Sequence, residues 1–296
     1  MTANPSSSSP ARVLRDVVSS GRTLVVPGAP NALPARLVEE AGFEAVYVTG
    51  AGLANTFFAS PDVGLVSLAE VVAHVSAIRD AVDIPIIVDA DTGYGNAVNV
   101  AHTVRRLERA GADAVQLEDQ TFPKRCGHFA GKDVISEAEM VQKIKAAVDS
   151  RNDPDLLVVA RTDARGVHGL TAACDRGNAY RAAGADVVFV EGPQSEDEIT
   201  IVAKTVDAPK VLNLVEGGVT PHLPQWRIEE LGFAIALYAN LPLLAALRGM
   251  RDVLAHLRSG AEDGRPPVAT WEERQALVRK PAFDEMERRY EVTTDD

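Results

Sequence analysis

Cysteine is scarce in this chain. Cys126 and Cys174 occur in unrelated contexts, with no Cys-x-x-Cys pair and no Cys/His spacing of a structural zinc site. A disulfide framework and a zinc-built fold are therefore excluded, and a reducing, cytoplasmic setting is expected. Positive charge is also short: 30 Lys and Arg stand against 42 Asp and Glu, a formal charge of −12. That balance argues against a nucleic-acid partner, which needs a clustered cationic surface. Long apolar runs are missing as well. The nearly apolar stretch Phe233 to Leu247 is interrupted by Asn240 and Pro242 and falls short of the roughly 18 to 20 residues that span a bilayer, so no membrane segment is expected. The first twenty residues have neither a signal-peptide core nor a strongly Arg-rich amphipathic character. Residues 1–11 read as a disordered N-terminus.

What the chain has is a recurring joint. An amphipathic helix ends at Gly, and within two or three residues a β-branched, apolar run begins, the pattern of a C-capped helix feeding a buried parallel strand. It occurs in EEAGFEAVYVTG (39–50), ERAGADAVQLED (108–119), RAAGADVVFVEG (181–192) and EELGFAIALY (229–238). Further apolar runs, TLVVPGAP (23–30), IPIIVDADTG (84–93), DLLVVARTDA (155–164) and APKVLNLVEGG (208–218), bring the expected strands to eight. Between them, 67–80, 97–110, 136–149, 170–183, 195–206 and 241–258 carry apolar residues at three- and four-residue spacing, which predicts helices. This alternation predicts an α/β fold of (β/α)₈ TIM-barrel type. A doubly wound open sheet would alternate in the same way, but the first strand is not followed by a Gly-x-Gly-x-x-Gly turn. The expected organisation is a barrel over 12–260, then 261–296 as a polar linker (AEDGRPP) and a helical tail, with a final helical segment around Trp271 to Tyr290.

A barrel of this kind keeps its active site at the C-terminal strand ends. Those ends carry Asp89 and Asp91, Glu118 and Asp119, Arg161 and Asp163, Glu191, and Asn213. Carboxylates gathered in a cleft raise one another's pKa unless a cation compensates them. Because the donors are hard oxygens, with no His or Cys, the expected ion is Mg²⁺, or Mn²⁺, rather than Zn²⁺. The loop after the fourth strand carries Cys126 flanked by Lys124, Arg125 and His128. Such cationic neighbours favour a thiolate, and Gly127 and Gly131 allow the loop to move. Cys126 is therefore a candidate for proton transfer; Cys174, inside a predicted helix, is not.

The set Asp89-Ala90-Asp91-Thr92-Gly93-Tyr94-Gly95, Glu118-Asp119, Lys124-Arg125-Cys126-Gly127-His128 and Arg161-Thr162-Asp163 resembles the isocitrate lyase/phosphoenolpyruvate mutase superfamily, over residues 12–258. The Lys124–His128 segment is similar to the signature of its carbon–carbon lyase branch, which cleaves 2-methylisocitrate or 2,3-dimethylmalate. The resemblance implies that Asp89 holds Mg²⁺ directly, with Asp91 and Glu118 acting through bound water. It implies that Tyr47, Thr49, Gly50 and Ala51 bind the 2-oxo acid half of the substrate, with Asp62 close by. Arg161 would pair with a substrate carboxylate, Cys126 would be the general acid, Gly127 and His128 would close with it, and Glu191 and Asn213 would complete the wall. Tyr47 is a candidate acceptor for the hydroxyl proton. The segment Tyr238-Ala239-Asn240-Leu241 departs from the Tyr-Pro-Leu common in that branch.

The resemblance implies a Mg²⁺-dependent lyase that cleaves a 2-hydroxy di- or tricarboxylate to a 2-oxo acid and a second carboxylate. It also implies a homo-oligomer, usually a tetramer, assembled through the C-terminal helices. An oxaloacetate hydrolase or a phosphonate-forming mutase on the same scaffold, or a non-catalytic barrel that only binds a carboxylate, are the alternatives.

Overall fold

The computed structural model describes residues 8–125, 127, 131–260 and 262–292. Eight parallel strands close a barrel in sequence order: β1 (Leu24–Ala29), β2 (Val46–Val48), β3 (Ile86–Asp89), β4 (Ala114–Glu118), β5 (Leu157–Thr162), β6 (Val187–Val190), β7 (Lys210–Asn213) and β8 (Ile235–Tyr238). The ring is completed by β8 against β1, with Leu24 opposite Ile235 and Val26 opposite Leu237. Each strand sits within its expected run, because a buried parallel strand is a short β-branched segment.

The helices are α1 (Pro10–Val18), α2 (Ala32–Glu40), α3 (Gly50–Phe58), α4 (Leu68–Ala81), α5 (Ala97–Ala110), α6 (Glu137–Ser150), α7 (Arg165–His168), α8 (Leu170–Ala182), α9 (Glu196–Thr205), α10 (Gln225–Glu230), α11 (Leu241–Ser259), α12 (Trp271–Leu277) and α13 (Lys280–Arg289). Their starts follow from capping. Ser67 closes a reciprocal capping box on Glu70 at the head of α4, and Asn96 does the same with Asn99 on α5. Gly111 ends α5 in the left-handed conformation that an L side chain resists, and the chain turns at once into β4.

The strand period of two sorts the side chains into two cores. Val46, Val48, Val88, Val115, Leu117, Val158 and Ala160 point outward, into the layer between barrel and helices. Leu24, Val26, Tyr47, Ile87, Ala114, Val159, Phe189, Val211 and Leu237 fill the barrel. Leu14 and Val18 of α1 belong to that inner cluster, so α1 plugs the N-terminal end of the barrel and leaves the other end open.

The chain divides into two compact units, Met1–Leu243 and Leu244–Asp296. The second unit holds most of α11, together with α12 and α13. The helical segment expected around 271–290 is present and comprises two helices, α12 and α13. Pro281, at the second position of α13, lacks an N–H and restricts the residue before it, and Arg279 turns left-handed at φ 54° to restart the chain. No helix among the described residues is long and apolar enough to cross a membrane.

Candidate active site

Strand parity decides which polar residues reach the barrel mouth. On β4, Ala114, Gln116 and Glu118 share the inner face, while Val115, Leu117 and the following Asp119 face out. Glu118 and Asp119 are both fully shielded, yet they do different things. Asp119 accepts from Thr162 Oγ1 at 2.7 Å, Asp163 N at 2.8 Å, Tyr180 Oη at 2.8 Å and Arg176 at 3.1 Å, which makes it a structural tie between β4, β5 and α8. Glu118 instead faces Arg161 across the paired inner positions of β4 and β5, at 3.4 Å.

Asp89 and Asp91 converge beside the head of α3. A Cβ added to Gly50 would lie 3.0 Å from Asp89 Oδ2 and 3.2 Å from Asp91 Oδ1, so only glycine leaves the space between them open. Gly50 N donates to Asp89 Oδ2 at 3.3 Å, and Asp91 N donates to Asp89 Oδ1 at 3.1 Å. Thr49 caps α3 by accepting from Gly52 N, and its hydroxyl meets Asn240 Oδ1 at 3.1 Å. The Thr49–Ala51 turn therefore presents the positive end of a helix to the same opening, an arrangement that suits a carboxylate.

Lys124 enters this acidic corner with its Nζ 2.5 Å from Asp62 Oδ1 and 2.7 Å from Asp91 Oδ1. Its ammonium pairs with these two carboxylates; its expected place beside the Cys126 thiol lies outside the described residues. Burial alone would lower its pKa, but Asp91, Glu118, Asp89 and Asp62 together push it well up. Burial lifts the Asp91 carboxyl to about 7, with Lys124 opposing and Asp89 adding to the rise. Burial likewise holds Glu118 well above the ordinary carboxylate range, against the pull of Arg161 and Lys124.

The Arg161 guanidinium is gripped on one edge by Asp163, at 2.9 and 3.2 Å, and flanked by Glu118 and Glu191, the latter at 3.6 Å. Burial opposes its charge, but these three carboxylates outweigh it and keep the group cationic. Lys132 Nζ donates to Asp163 Oδ1 at 2.8 Å and to the carbonyl of Gly127, tying the loop after β4 to the base of Arg161. Gly127 packs so closely on Arg161 and Glu191 that a Cβ would overlap both.

Tyr47, Thr49, Ala51, Asp62, Asp89, Gly127, Arg161, Glu191 and Asn213 thus line one cavity of about 50 Å³, together with Phe189, Val215, Leu237, Ala239 and Asn240. Gly50, Asp91 and Glu118 lie against its wall. Cys126 and His128 fall outside the described residues. Sequence reasoning missed Gln116, Lys132, Phe189 and Asn240 as members of the site. Gln116 and Phe189 are mid-strand, where the parity of inner and outer residues is the only available signal. Asn240 carried a signal in its departure from Tyr-Pro-Leu.

Oxygen donors dominate the acidic corner. Among the described residues Glu118 Oε1 and Asn213 Oδ1 are buried acceptors without a hydrogen-bond partner, a state that a cation or its waters would relieve. No group of three or more His, Cys, Asp and Glu among the described residues is arranged as a metal cage. Hard carboxylate and amide oxygens of this kind suit an ion that keeps several waters and takes only one or two carboxylates directly. Asp89 Oδ2 and Asp91 Oδ1, the latter also paired with Lys124 at 2.7 Å, both approach one point beside Gly50.

The family described as phosphoenolpyruvate phosphomutase matches residues 14–258. The chain is 45% identical over 249 residues to 2,3-dimethylmalate lyase of Eubacterium barkeri, covering 84% of this chain and 86% of that one. It is 44% identical over 248 residues to 2-methylisocitrate lyase of Aeropyrum pernix, covering 84% and 80%. Among solved structures, a 2,3-dimethylmalate lyase of the PEP mutase/isocitrate lyase superfamily matches with a TM-score of 0.90 at 33% identity, over 98% of both chains. An oxaloacetate acetylhydrolase bound to 3,3-difluorooxalacetate matches at 0.89 and 31%, over 96% and 98%. A phosphonopyruvate hydrolase complexed with oxalate and Mg²⁺ matches at 0.87 and 33%, over 96% and 99%.

Proposed function

We propose, since this chain belongs to the phosphoenolpyruvate mutase/isocitrate lyase superfamily, that it is a Mg²⁺-dependent lyase cleaving a carbon–carbon bond in a 2-hydroxy di- or tricarboxylate of the 2-methylisocitrate or 2,3-dimethylmalate type. The observation that carries this reading is the approach of Asp89 Oδ2 and Asp91 Oδ1 to one point beside the α3 N-terminus, at a cavity that Asp89 and Arg161 both line. Mn²⁺ would substitute, since the donors are the same hard oxygens.

Each residue's part follows from its surroundings. Asp89 and Asp91 would hold the metal, with Glu118 behind them, and the metal supplies Lewis-acid polarisation of the hydroxyl and carboxylate oxygens. The Thr49, Gly50 and Ala51 backbone would bind the carboxylate of the half that becomes the 2-oxo acid. Arg161, already fixed by Asp163, would present its remaining edge to the other carboxylate. Cleavage turns the hydroxyl-bearing carbon into the ketone of the 2-oxo acid, with the hydroxyl proton lost to water, and leaves an electron pair on the carbon next to the other carboxylate, where Cys126 would deliver the proton that quenches it. Gly127 and His128 would close with Cys126, and Glu191 and Asn213, joined at 3.2 Å, would form the polar wall. Lys124 would keep Asp62 and Asp91 in place.

Tyr47 is better suited to hold than to accept. Its hydroxyl donates into Gln116 at 3.0 Å, and burial with the nearby Asp89 raises its pKa well above that of a free phenol, so it stays protonated.

We place the enzyme in the cytoplasm as a homo-oligomer, with a tetramer expected. Helix α11 has no buried residue and exposes Leu244, Leu247, Met250, Leu254 and Leu257 at three- and four-residue spacing, an apolar stripe of the kind a second copy covers. One second reading has specific support, hydrolysis of oxaloacetate to oxalate, from the likeness to oxaloacetate acetylhydrolase. A phosphonate-forming mutase is disfavoured by the Lys124–His128 segment. A binding-only barrel is disfavoured because Asp89, Glu118, Cys126 and Arg161 are all present. Purified chain with Mg²⁺ is given 2-methylisocitrate, 2,3-dimethylmalate, isocitrate and oxaloacetate, and pyruvate, glyoxylate and oxalate are followed. Pyruvate from one of the first two is expected; oxalate from oxaloacetate alone would establish the hydrolase, and no product from any would refute both.

A further inference from the structure

Gln116 lies inside the barrel, 1% exposed, paired across β3 and β4 with Asp89. A primary amide at that depth is costly unless both of its ends are used. Both are: Oε1 meets the Tyr47 hydroxyl at 3.0 Å, and Nε2 donates to Asp89 Oδ1 at 3.3 Å. The orientation follows from chemistry, since an ionised carboxylate only accepts and the NH₂ must face it. The carbonyl is then left for Tyr47, whose phenol has to be the donor.

This chain of bonds sets the rotation of Asp89. Its Oδ1 accepts from both Gln116 Nε2 and Asp91 N, at 3.3 and 3.1 Å, and is thereby committed to the protein. Its Oδ2 accepts from Gly50 N at 3.3 Å and faces the point where Asp91 Oδ1 converges. We infer that Gln116 is a positioning residue for divalent-cation binding: it holds one edge of Asp89 so that the other faces the cation, and Tyr47 locks the amide against flipping. The inference rests on the metal-dependent reading above and assigns Tyr47 a task at the floor of the site. Groups behind direct ligands commonly control affinity in this way by restricting ligand orientation.

The test is Mn²⁺ binding to the chelator-stripped full-length chain, by titration calorimetry and by the electron paramagnetic resonance signal of free Mn²⁺. We compare the parent with Gln116→Met, Tyr47→Phe and the double variant. Gln116→Met is expected to weaken Mn²⁺ binding roughly 10- to 100-fold. Tyr47→Phe should weaken it in the same direction, and the double variant should bind no worse than Gln116→Met, because both substitutions release one linkage. Should Gln116→Met fail to give a cooperative melt, Tyr47→Phe decides alone, since it leaves the amide in place without its lock. Parent-like Mn²⁺ affinity in the folded Gln116→Met variant, or in Tyr47→Phe where that one decides, would overturn the inference while leaving the metal reading intact. A parent chain that binds no Mn²⁺ would overturn the metal reading, and this inference with it.

Discussion

Glu118 and Asp119 are sequence neighbours, yet one faces Arg161 at the mouth and the other ties β5 and α8 together outside the barrel. Residue types alone mark both as strand-end carboxylates; only the strand period of two separates them. The same period hides Gln116, whose polar side chain sits mid-strand where an apolar one is expected. Asp89, Arg161, Glu191 and Asn213 were legible because they end strands. The depth to which Lys124 enters the acidic corner depends on loop conformation, which no local pattern encodes. Cys126 is where the proposed mechanism is most exposed to a single substitution. Serine in its place keeps the shape and is a far poorer acid near neutral pH, so Cys126→Ser should slow cleavage by roughly 10²- to 10⁴-fold. Steady-state turnover on whichever substrate the parent cleaves measures it, and near-parental turnover would remove Cys126 from the proton-donor role.

At the scale of elements, the helix–Gly–strand joints were legible because a C-capping glycine and a β-branched run are both local signals. Helix α3 was not, since GAGLANTFF opens with glycines and lacks a clear apolar period; Thr49 capping starts it. The break between α12 and α13 had its signal in Pro281. The coupling of β5 to the loop after β4 runs through Asp163, which grips Arg161 and Lys132 while wholly shielded from solvent. Burial opposes its charge, but the two cations outweigh burial and hold its pKa below the ordinary value. Asp163→Asn removes the carboxylate that Arg161 and Lys132 share and should cost roughly 3 to 5 kcal/mol at neutral pH. A carboxyl with a lowered folded pKa contributes fully above the unfolded value, near 3.9, and loses that contribution as pH falls through the folded one. The stability gap between parent and variant should therefore shrink below about pH 4. Urea titrations at a series of pH values check both points, and a gap that widened on acidification would contradict them.

At the scale of the whole molecule, the barrel closes around its own core and accepts α1 as a plug, whereas α11 to α13 carry exposed Leu254, Trp271, Phe283, Met286 and Tyr290. Apolar surface of that extent on helices without a buried residue is costly in a free monomer. Light scattering at micromolar concentration should return a multiple of the 31.5 kDa chain mass, and a stable monomer would refute the assembly. The claim on which everything else depends is that the acidic corner works by holding a hard divalent cation. The most direct measurement is carbon–carbon cleavage by one preparation assayed as purified, after EDTA treatment and after Mg²⁺ is restored. We expect 2-oxo acid release to vanish with EDTA and return with Mg²⁺; undiminished release from the chelated, metal-free chain would contradict the claim.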